Sequence, residues 1–173
     1  MTRAAGVRWA LLLGVAGLTL WLALRDSTEN EVLAPLEVLS AAVQVRPQES
    51  PADREARIGQ AFERVFVERP RVRIPDLAVR GADRAAVVAA ALAATRNLEA
   101  ATVRFEQPNV TVDPAKREAM VQARAALSAR SVEAGFRTDS REVRLRLRKT
   151  AAGWKIDDIE AAPPSTVEPE ARP

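Results

Sequence analysis

The chain of 173 residues contains no cysteine, no histidine and no tyrosine, and its formal net charge is +3 at pH 7. These absences exclude disulfides, thiolate nucleophiles and the side chain that most often serves as a general base or metal ligand. The small net charge gives little support to nucleic-acid binding, and the length leaves room for one domain of about 130 residues beside a membrane segment and a tail.

The first recognisable element is an apolar run, Trp9–Leu24, of sixteen residues without a charged side chain and with Arg8 and Arg25 at its ends. At a rise of about 1.5 Å per residue the run spans roughly 24 Å, and snorkelling of the two arginines extends it toward the thickness of a bilayer core. No small-x-small cleavage site follows, so the run predicts an uncleaved signal anchor at residues 9–25 that enters the lipid bilayer. The charge pattern predicts a cytoplasmic tail at residues 1–8 and places the rest beyond the inner (plasma) membrane, in the periplasm or another extracytoplasmic space.

Three helices are predicted after a linker at residues 26–31. The first runs from Val32 to Val43, where apolar residues recur at helical spacing. The second begins after Ser50, because serine is a favoured helix cap and Pro51 suits the first helical position. Its apolar stripe consists of Ile58, Phe62, Val65 and Phe66. The alanine-rich stretch Arg84–Thr95 predicts the third helix.

The remaining segments carry the alternation of apolar and polar residues that is typical of strands. They are Arg71–Pro75, Ala101–Val112, Ala119–Arg130, Glu142–Thr150 and Trp154–Asp157. Proline at the end of the first segment predicts an edge strand or a strand end, and residues 133–139 are predicted to form a loop. The last two segments predict a hairpin that turns at Gly153. Because Ile156 and Ile159 are spaced three apart, a bulge or strand end is expected at Asp157-Asp158.

These elements predict an α+β domain at residues 32–161, in which three N-terminal helices pack on a curved antiparallel, cone-like sheet, preceded by one transmembrane helix. Residues 162–173 are rich in proline and glutamate, which predicts a disordered tail. The strand segments and the closing Gly-Trp-Lys-Ile-Asp resemble the nuclear transport factor 2-like superfamily, which includes ketosteroid isomerase and the polyketide cyclases. The segments that carry this resemblance are Val110–Asp113, Ala119–Ala125, Glu142–Thr150 and Gly153–Asp157.

The resemblance implies an apolar cavity between helices and sheet, which some members use for catalysis and others only for binding or assembly. The aromatic residues predicted to line this cavity are Phe62, Phe66, Phe105 and Trp154. Enzymes of the superfamily commonly use Asp, His or Tyr there, and because this chain has neither His nor Tyr, no catalytic residue can be transferred to it. Asp76, Asp113 and Asp139 are the candidate proton carriers, since an apolar pocket raises a carboxyl pKa, but all three are predicted in loops, where Asp commonly forms turns.

A second candidate site is a set of arginines that share the polar face of two predicted strands. They are Arg124, Arg130, Arg144, Arg146 and Arg148. Such a face is suited to an acidic partner or to anionic lipid headgroups. The alternative is a solvated sheet face on which the arginines pair across strands with Glu106, Glu118 and Glu142.

The sequence therefore favours a membrane-anchored extracytoplasmic binding or assembly domain without catalysis, whose partner is a membrane-complex protein or a second copy of the chain. The alternative is a tethered small-molecule-binding protein or a ketosteroid isomerase-like enzyme that uses a cavity Asp. No cofactor, metal or nucleic acid is expected. A buried Asp with a polar partner in the cavity would favour the enzyme, and a cavity filled by the four aromatic residues would favour the binding domain.

Overall fold

Three helices and one five-stranded mixed sheet form the part of the chain that the computed structural model describes. The described residues are 28–75, 77, 79, 83–113, 117–131, 133 and 135–163. The helices are α1 at residues 28–43, α2 at Pro51–Val65 and α3 at Arg84–Thr95. The strands are β1 at Phe66–Arg73, β2 at Leu98–Asp113, β3 at Glu118–Ser131, β4 at Gly135–Thr150 and β5 at Gly153–Ala161. Their order in the sheet is β1-β5-β4-β3-β2.

The helix starts follow from the capping residues in the sequence. The Ser50 side chain accepts a hydrogen bond of 3.1 Å from the backbone N–H of Asp53, and Pro51 occupies the first position of α2. Asp83 caps α3 in the same way, by accepting a 2.8 Å hydrogen bond from the N–H of Ala86. Such caps satisfy backbone donors that have no partner inside the helix. The three predicted helices are therefore confirmed.

The alternation in β4 fixes which face of the sheet carries the core. Val143, Leu145 and Leu147 are buried, whereas the arginines between them lie on the opposite face, which we call the outer face. On the inner face, these residues are aligned with Ala123, Val121 and Ala119 of β3. The helices cover the inner face with a set of buried apolar residues that includes Val32, Leu36, Leu39, Ile58, Phe62 and Val65. The α+β class and the helix-covered sheet are thus as predicted.

A bulge in β5 redirects two acidic side chains. Arg146 is aligned with Asp158 and Leu147 with Ile156, so Asp157 is an extra residue in β5. An extra residue of this kind lets two successive side chains point to one face of a strand. Asp157 contacts the arginines of the outer face, which confirms the bulge expected from the spacing of the two isoleucines.

The structure corrects four details of the prediction. The sheet is mixed, because β1 pairs with β5 in parallel. Phe66 opens β1 instead of continuing the stripe of α2, since the helix ends at Val65. β1 ends at Arg73, so Pro75 of the predicted strand Arg71–Pro75 lies beyond it. Residues 135–139 of the predicted loop belong to β4.

No helix among the described residues is long and apolar enough to cross a membrane. The predicted tail at residues 1–8, the anchor at residues 9–25 and residues 26–27 of the linker lie outside the described residues, as does the predicted C-terminal tail from residue 164 onward. Residues 28–31 of the predicted linker are helical and belong to α1.

An arginine of α2 ties the end of α1 to the following loop. Arg57 donates hydrogen bonds to the carbonyl oxygens of Ala41, at 3.0 Å, and of Ala42 and Gln44, the last at 2.7 Å. Its guanidinium also binds both carboxylate oxygens of Glu49, at 2.7 and 2.8 Å. A cation at the C-terminus of a helix satisfies carbonyl groups that have no partner within the helix. Arg57 therefore fixes where α1 ends relative to α2.

Replacing Glu49 by glutamine is expected to lower stability in a pH-dependent way. The hydrogen bonds from Arg57 hold the pKa of the Glu49 carboxyl below its usual value of 4.5 in the folded protein. The stabilisation is therefore complete above the pKa of the unfolded chain and is lost as the pH falls through the lower folded-state pKa. E49Q should lower the free energy of unfolding by about 1–2 kcal/mol at pH 7, and this difference from wild type should shrink below pH ~4.5. Urea titrations at several pH values measure this, with E55Q, at an exposed position of α2, as control. A difference that stays constant down to pH ~3 would contradict the assignment.

Candidate functional site

The five arginines of the predicted partner surface all lie on the outer face, but they fall into two groups. Arg146 and Arg148 bind Asp157, with nitrogen to oxygen distances of 2.8 and 3.2 Å. Arg124 lies 3.4 Å from Glu142, which is the one cross-strand pair that the sequence correctly suggested. Arg130 and Arg144 are exposed and form no ion pair with another described residue. Only these last two present uncommitted guanidinium groups.

We call Asp157 and its three arginine neighbours the Asp157 cluster. The third neighbour is Arg71 of β1, whose guanidinium lies 3.7 Å from the carboxylate. The Asp157 side chain is only 11% exposed, whereas those of Arg71 and Arg148 are more than half exposed. The cluster therefore joins three adjacent strands, β1, β5 and β4, across the outer face.

A second group of charges extends this network along β1. Arg73 lies 3.1 Å from Asp158 and 3.4 Å from Glu160. These two carboxylates, Asp158 first, raise the pKa of Arg73 above its ordinary value. Its acidic partners are both on β5, and the sequence analysis had predicted no partner for Arg73. Charge patterning alone could not identify them, because the parallel pairing of β1 with β5 joins segments about 85 residues apart.

The four aromatic residues predicted to line one cavity belong to the apolar core or pack against it, but they contribute to different surfaces. Phe62 and Phe66 are buried in the core, with their rings edge to face and their centroids 5.1 Å apart. Phe105 is partly buried and lines a groove beside α1. Trp154 is buried at another groove, with the ammonium group of Lys149 5.3 Å from its ring centroid. Phe62 and Phe66 fill the interior, Trp154 belongs both to the core and to the wall of the second groove, and Phe105 lines the first groove.

The candidate proton carriers are also distributed over the fold. Asp139 lies in β4 and not in a loop, on the same face of the strand as Val143 and Leu145. Its carboxylate accepts a 2.8 Å hydrogen bond from Nε of Arg141. Asp113 is the last residue of β2, and Asp76 lies outside the described residues. Asp139 therefore lies in a strand on the inner-face side of β4, with its side chain 33% exposed, and not in the predicted loop.

The first groove runs between α1 and the free edge of β2 and has a volume of about 630 Å³. Its apolar lining comes from Leu33, Leu36, Ala41, Val103, Phe105 and Pro108. Charged residues at its margins include Glu37, Arg104 and Glu106, all of them exposed. The Ser40 hydroxyl donates a hydrogen bond across the groove to the carbonyl oxygen of Val103. We call this feature the α1/β2 groove.

The second groove has a volume of about 700 Å³ and lies near the N-terminal part of α1, with Pro35, Val38 and Trp154 in its wall. Lys149 and Glu31 form a 2.6 Å ion pair at its margin. The hydrogen bond from Lys149 holds the pKa of the Glu31 carboxyl below its ordinary value. No group of three potential metal-ligating side chains occurs in the part of the chain that the structure describes.

Helices on the inner face of a curved five-stranded sheet define the fold of nuclear transport factor 2-like proteins, and solved structures of that class are similar to this chain. A nuclear transport factor 2-like protein from Salmonella enterica serovar Typhimurium has a TM-score of 0.63 at 12% identity, covering 86% of this chain and 99% of that one. The Kfla4162 protein from Kribbella flavida has a TM-score of 0.65 at 12% identity, covering 82% and 93%. A candidate dehydratase of the class from Streptomyces avermitilis has a TM-score of 0.60 at 14% identity, covering 80% and 97%.

No protein-family model and no curated protein matches the sequence. At these identities the similarity shows the fold alone.

Proposed function

We propose that this chain is a binding domain without intrinsic catalysis, held at the outer surface of a membrane by its N-terminal segment. The observation behind the proposal is that apolar side chains pack the central layer between α2 and the middle strands of the sheet. Among the described residues, Ile58, Phe62, Phe66, Val121, Leu145, Leu147 and Ile156 are each at most 2% exposed. A site for turnover needs a concave pocket with convergent polar groups, whereas a binding surface does not.

The acidic residues support the same proposal. Asp157 faces away from the interior and is surrounded by three arginines. Asp139 lies on the same side of β4 as the core residues, but it is 33% exposed and its carboxylate is bound by Arg141. A general base must instead offer its carboxylate to a substrate proton within hydrogen-bonding distance.

The membrane location rests on the sequence, through the uncharged run Trp9–Leu24 and the cationic residues before it. Carbonate washing of membranes provides the test. The full-length chain should stay in the membrane pellet, and its release into the soluble fraction would remove this part of the proposal.

The surface that we propose for the partner is the outer face around Arg130 and Arg144. Both residues are exposed, and Phe136, which is 66% exposed, is aligned with Arg130 on the neighbouring strand. An exposed aromatic residue beside an arginine is typical of protein interfaces. An acidic membrane-complex protein is the partner class that these charges favour.

Reversing the charge of this surface tests the proposed function. The full-length chain is purified from native membranes in mild detergent, and the co-purifying proteins are quantified by mass spectrometry. R130E/R144E should lose a partner that the wild type retains, by about tenfold or more, because like charges across an interface are repulsive. Reversal of Arg64, an exposed arginine on α2, is the matched control. Retention of every partner by R130E/R144E would contradict the proposal.

The second candidate function is a small-molecule site that uses Asp139. The observation in its favour is the pairing of Asp139 with Arg141 on the core side of β4, and the similar structure from S. avermitilis is named as a candidate dehydratase. D139N is close in shape to the native residue and should leave partner retention and the cellular phenotype unchanged if the domain only binds. Loss of the phenotype in a folded and abundant D139N protein, with partners retained, would favour catalysis.

A further inference from the structure

The free edge of β2 carries backbone groups that point away from the sheet. Ala101 exchanges two hydrogen bonds with Val45, of 2.9 and 3.2 Å, on the side opposite to β3. Backbone groups of alternate residues point to the same side of an antiparallel strand, so those of Val103 and Phe105 also point away from β3. The bond from Ser40 to the Val103 carbonyl confirms this direction.

The remaining groups of this edge have no partner among the described residues. They are the N–H of Val103 and both the N–H and the C=O of Phe105. The edge is short, because Gln107 has a φ of 49° and Pro108 has no N–H, and the register shifts there. Short edges and bulges normally prevent uncontrolled strand pairing. A stretch of about 10 Å nevertheless stays open, which matches three residues at about 3.3 Å each.

The α1/β2 groove surrounds this open stretch with a wall suited to one extended chain. Leu33, Leu36 and Phe105 give it an apolar side. The exposed acids Glu37 and Glu106 stand on its two margins, one on α1 and one on β2, against the single exposed base Arg104. Successive side chains of an added strand point in opposite directions, so one set meets the apolar side of the groove and the other set meets its charged margins. The complementary segment therefore alternates apolar residues with a basic one.

We propose that the α1/β2 groove binds an extended peptide segment of another protein, which adds a strand to the β2 edge and alternates apolar with basic residues. A second copy of the chain fits less well as the added strand. Its own β2 edge lies beside its own α1, whose Ser40 binds the Val103 carbonyl, so that edge is not freely presented to another copy. The inference rests on the proposed function in that the domain acts by binding. It concerns a different surface from Arg130 and Arg144.

The test begins with a phage-displayed library of random dodecapeptides, selected on the full-length chain in nanodiscs. Enriched peptides should alternate apolar residues with Lys or Arg. A synthetic copy should bind about tenfold more weakly to E37K/E106K than to wild type, because the charge complementarity is reversed. The matched control is E63K/E99K, which changes two exposed acids outside this groove. N-methylation of the peptide backbone should also weaken binding by about tenfold, because it removes donors of the added strand.

Hydrogen exchange keeps the test independent of these variants. Amide exchange at Val103 and Phe105 should slow when the peptide binds, because bound backbone donors exchange more slowly. The R130E/R144E protein should bind the peptide like wild type, which separates failure of this inference from failure of the proposed partner surface. Four outcomes would overturn the inference: no enrichment, enriched peptides without basic residues, indifference to N-methylation, or a concentration-dependent dimer that protects the two amides without peptide.

Discussion

Replacement of Leu145 by alanine is expected to destabilise the domain by roughly 2–5 kcal/mol, the range found when a large apolar side chain is removed from a packed core. Leu145 is fully buried and lies in the middle of the sheet, aligned with Val121 on one side and Ile159 on the other. Its aligned neighbours belong to two other strands, β3 and β5, so the cavity cannot be closed by moving one side chain. The expected cost is therefore at the upper part of that range.

The matched control is Arg144→Ala, one residue earlier in β4 and exposed on the outer face. It should change stability by no more than about 0.5 kcal/mol. Both variants can be compared by urea titration of residues 28–163, in which Trp154 is the only tryptophan and reports unfolding by its fluorescence. Equal losses for the two variants would mean that the register is shifted by one residue, since such a shift exchanges the two faces of a strand.

Local sequence signals predicted most of the fold because they act over a few residues. Ser50 and Pro51 marked the start of α2 through the chemistry of capping. The alternation in Glu142–Thr150 predicted which residues of β4 are buried. The spacing of Ile156 and Ile159 predicted the bulge at Asp157, because an extra residue is the simplest way to keep both side chains on one face.

The features that sequence reasoning missed depend on contacts between distant segments. Arg71 and Arg73 meet acidic residues of β5 only because β1 inserts in parallel at the sheet edge. Asp139 was predicted in a loop because its neighbours in the chain are polar on both faces, so they carry no alternation. Pairing with β3 extends β4 through this stretch. The candidate sites were therefore less predictable than the elements that carry them.

Replacement of Asp157 by alanine is expected to destabilise the domain by about 2–4 kcal/mol, somewhat below the cost of breaking a fully buried ion pair because its arginines are partly exposed. The loss leaves three guanidinium groups close together without their shared carboxylate. The matched control is Glu142→Ala, which breaks the Arg124 pair between side chains that are 55% and 67% exposed. That change should cost at most about 1 kcal/mol.

Thermal or urea unfolding of the two variants measures the difference, and the double variant D157A/R146A tests its cause. If the cost of D157A comes from uncompensated positive charge, adding R146A should restore part of the lost stability, whereas independent effects would add. Equal costs for D157A and E142A would show that burial does not strengthen the cluster. A structural role for the cluster also raises the expected cost of changing Arg146, which the sequence pattern alone had placed on a freely exposed face. For that reason a charge reversal meant to report on partner binding belongs at Arg130 and Arg144, where the fold makes no demand on the charge.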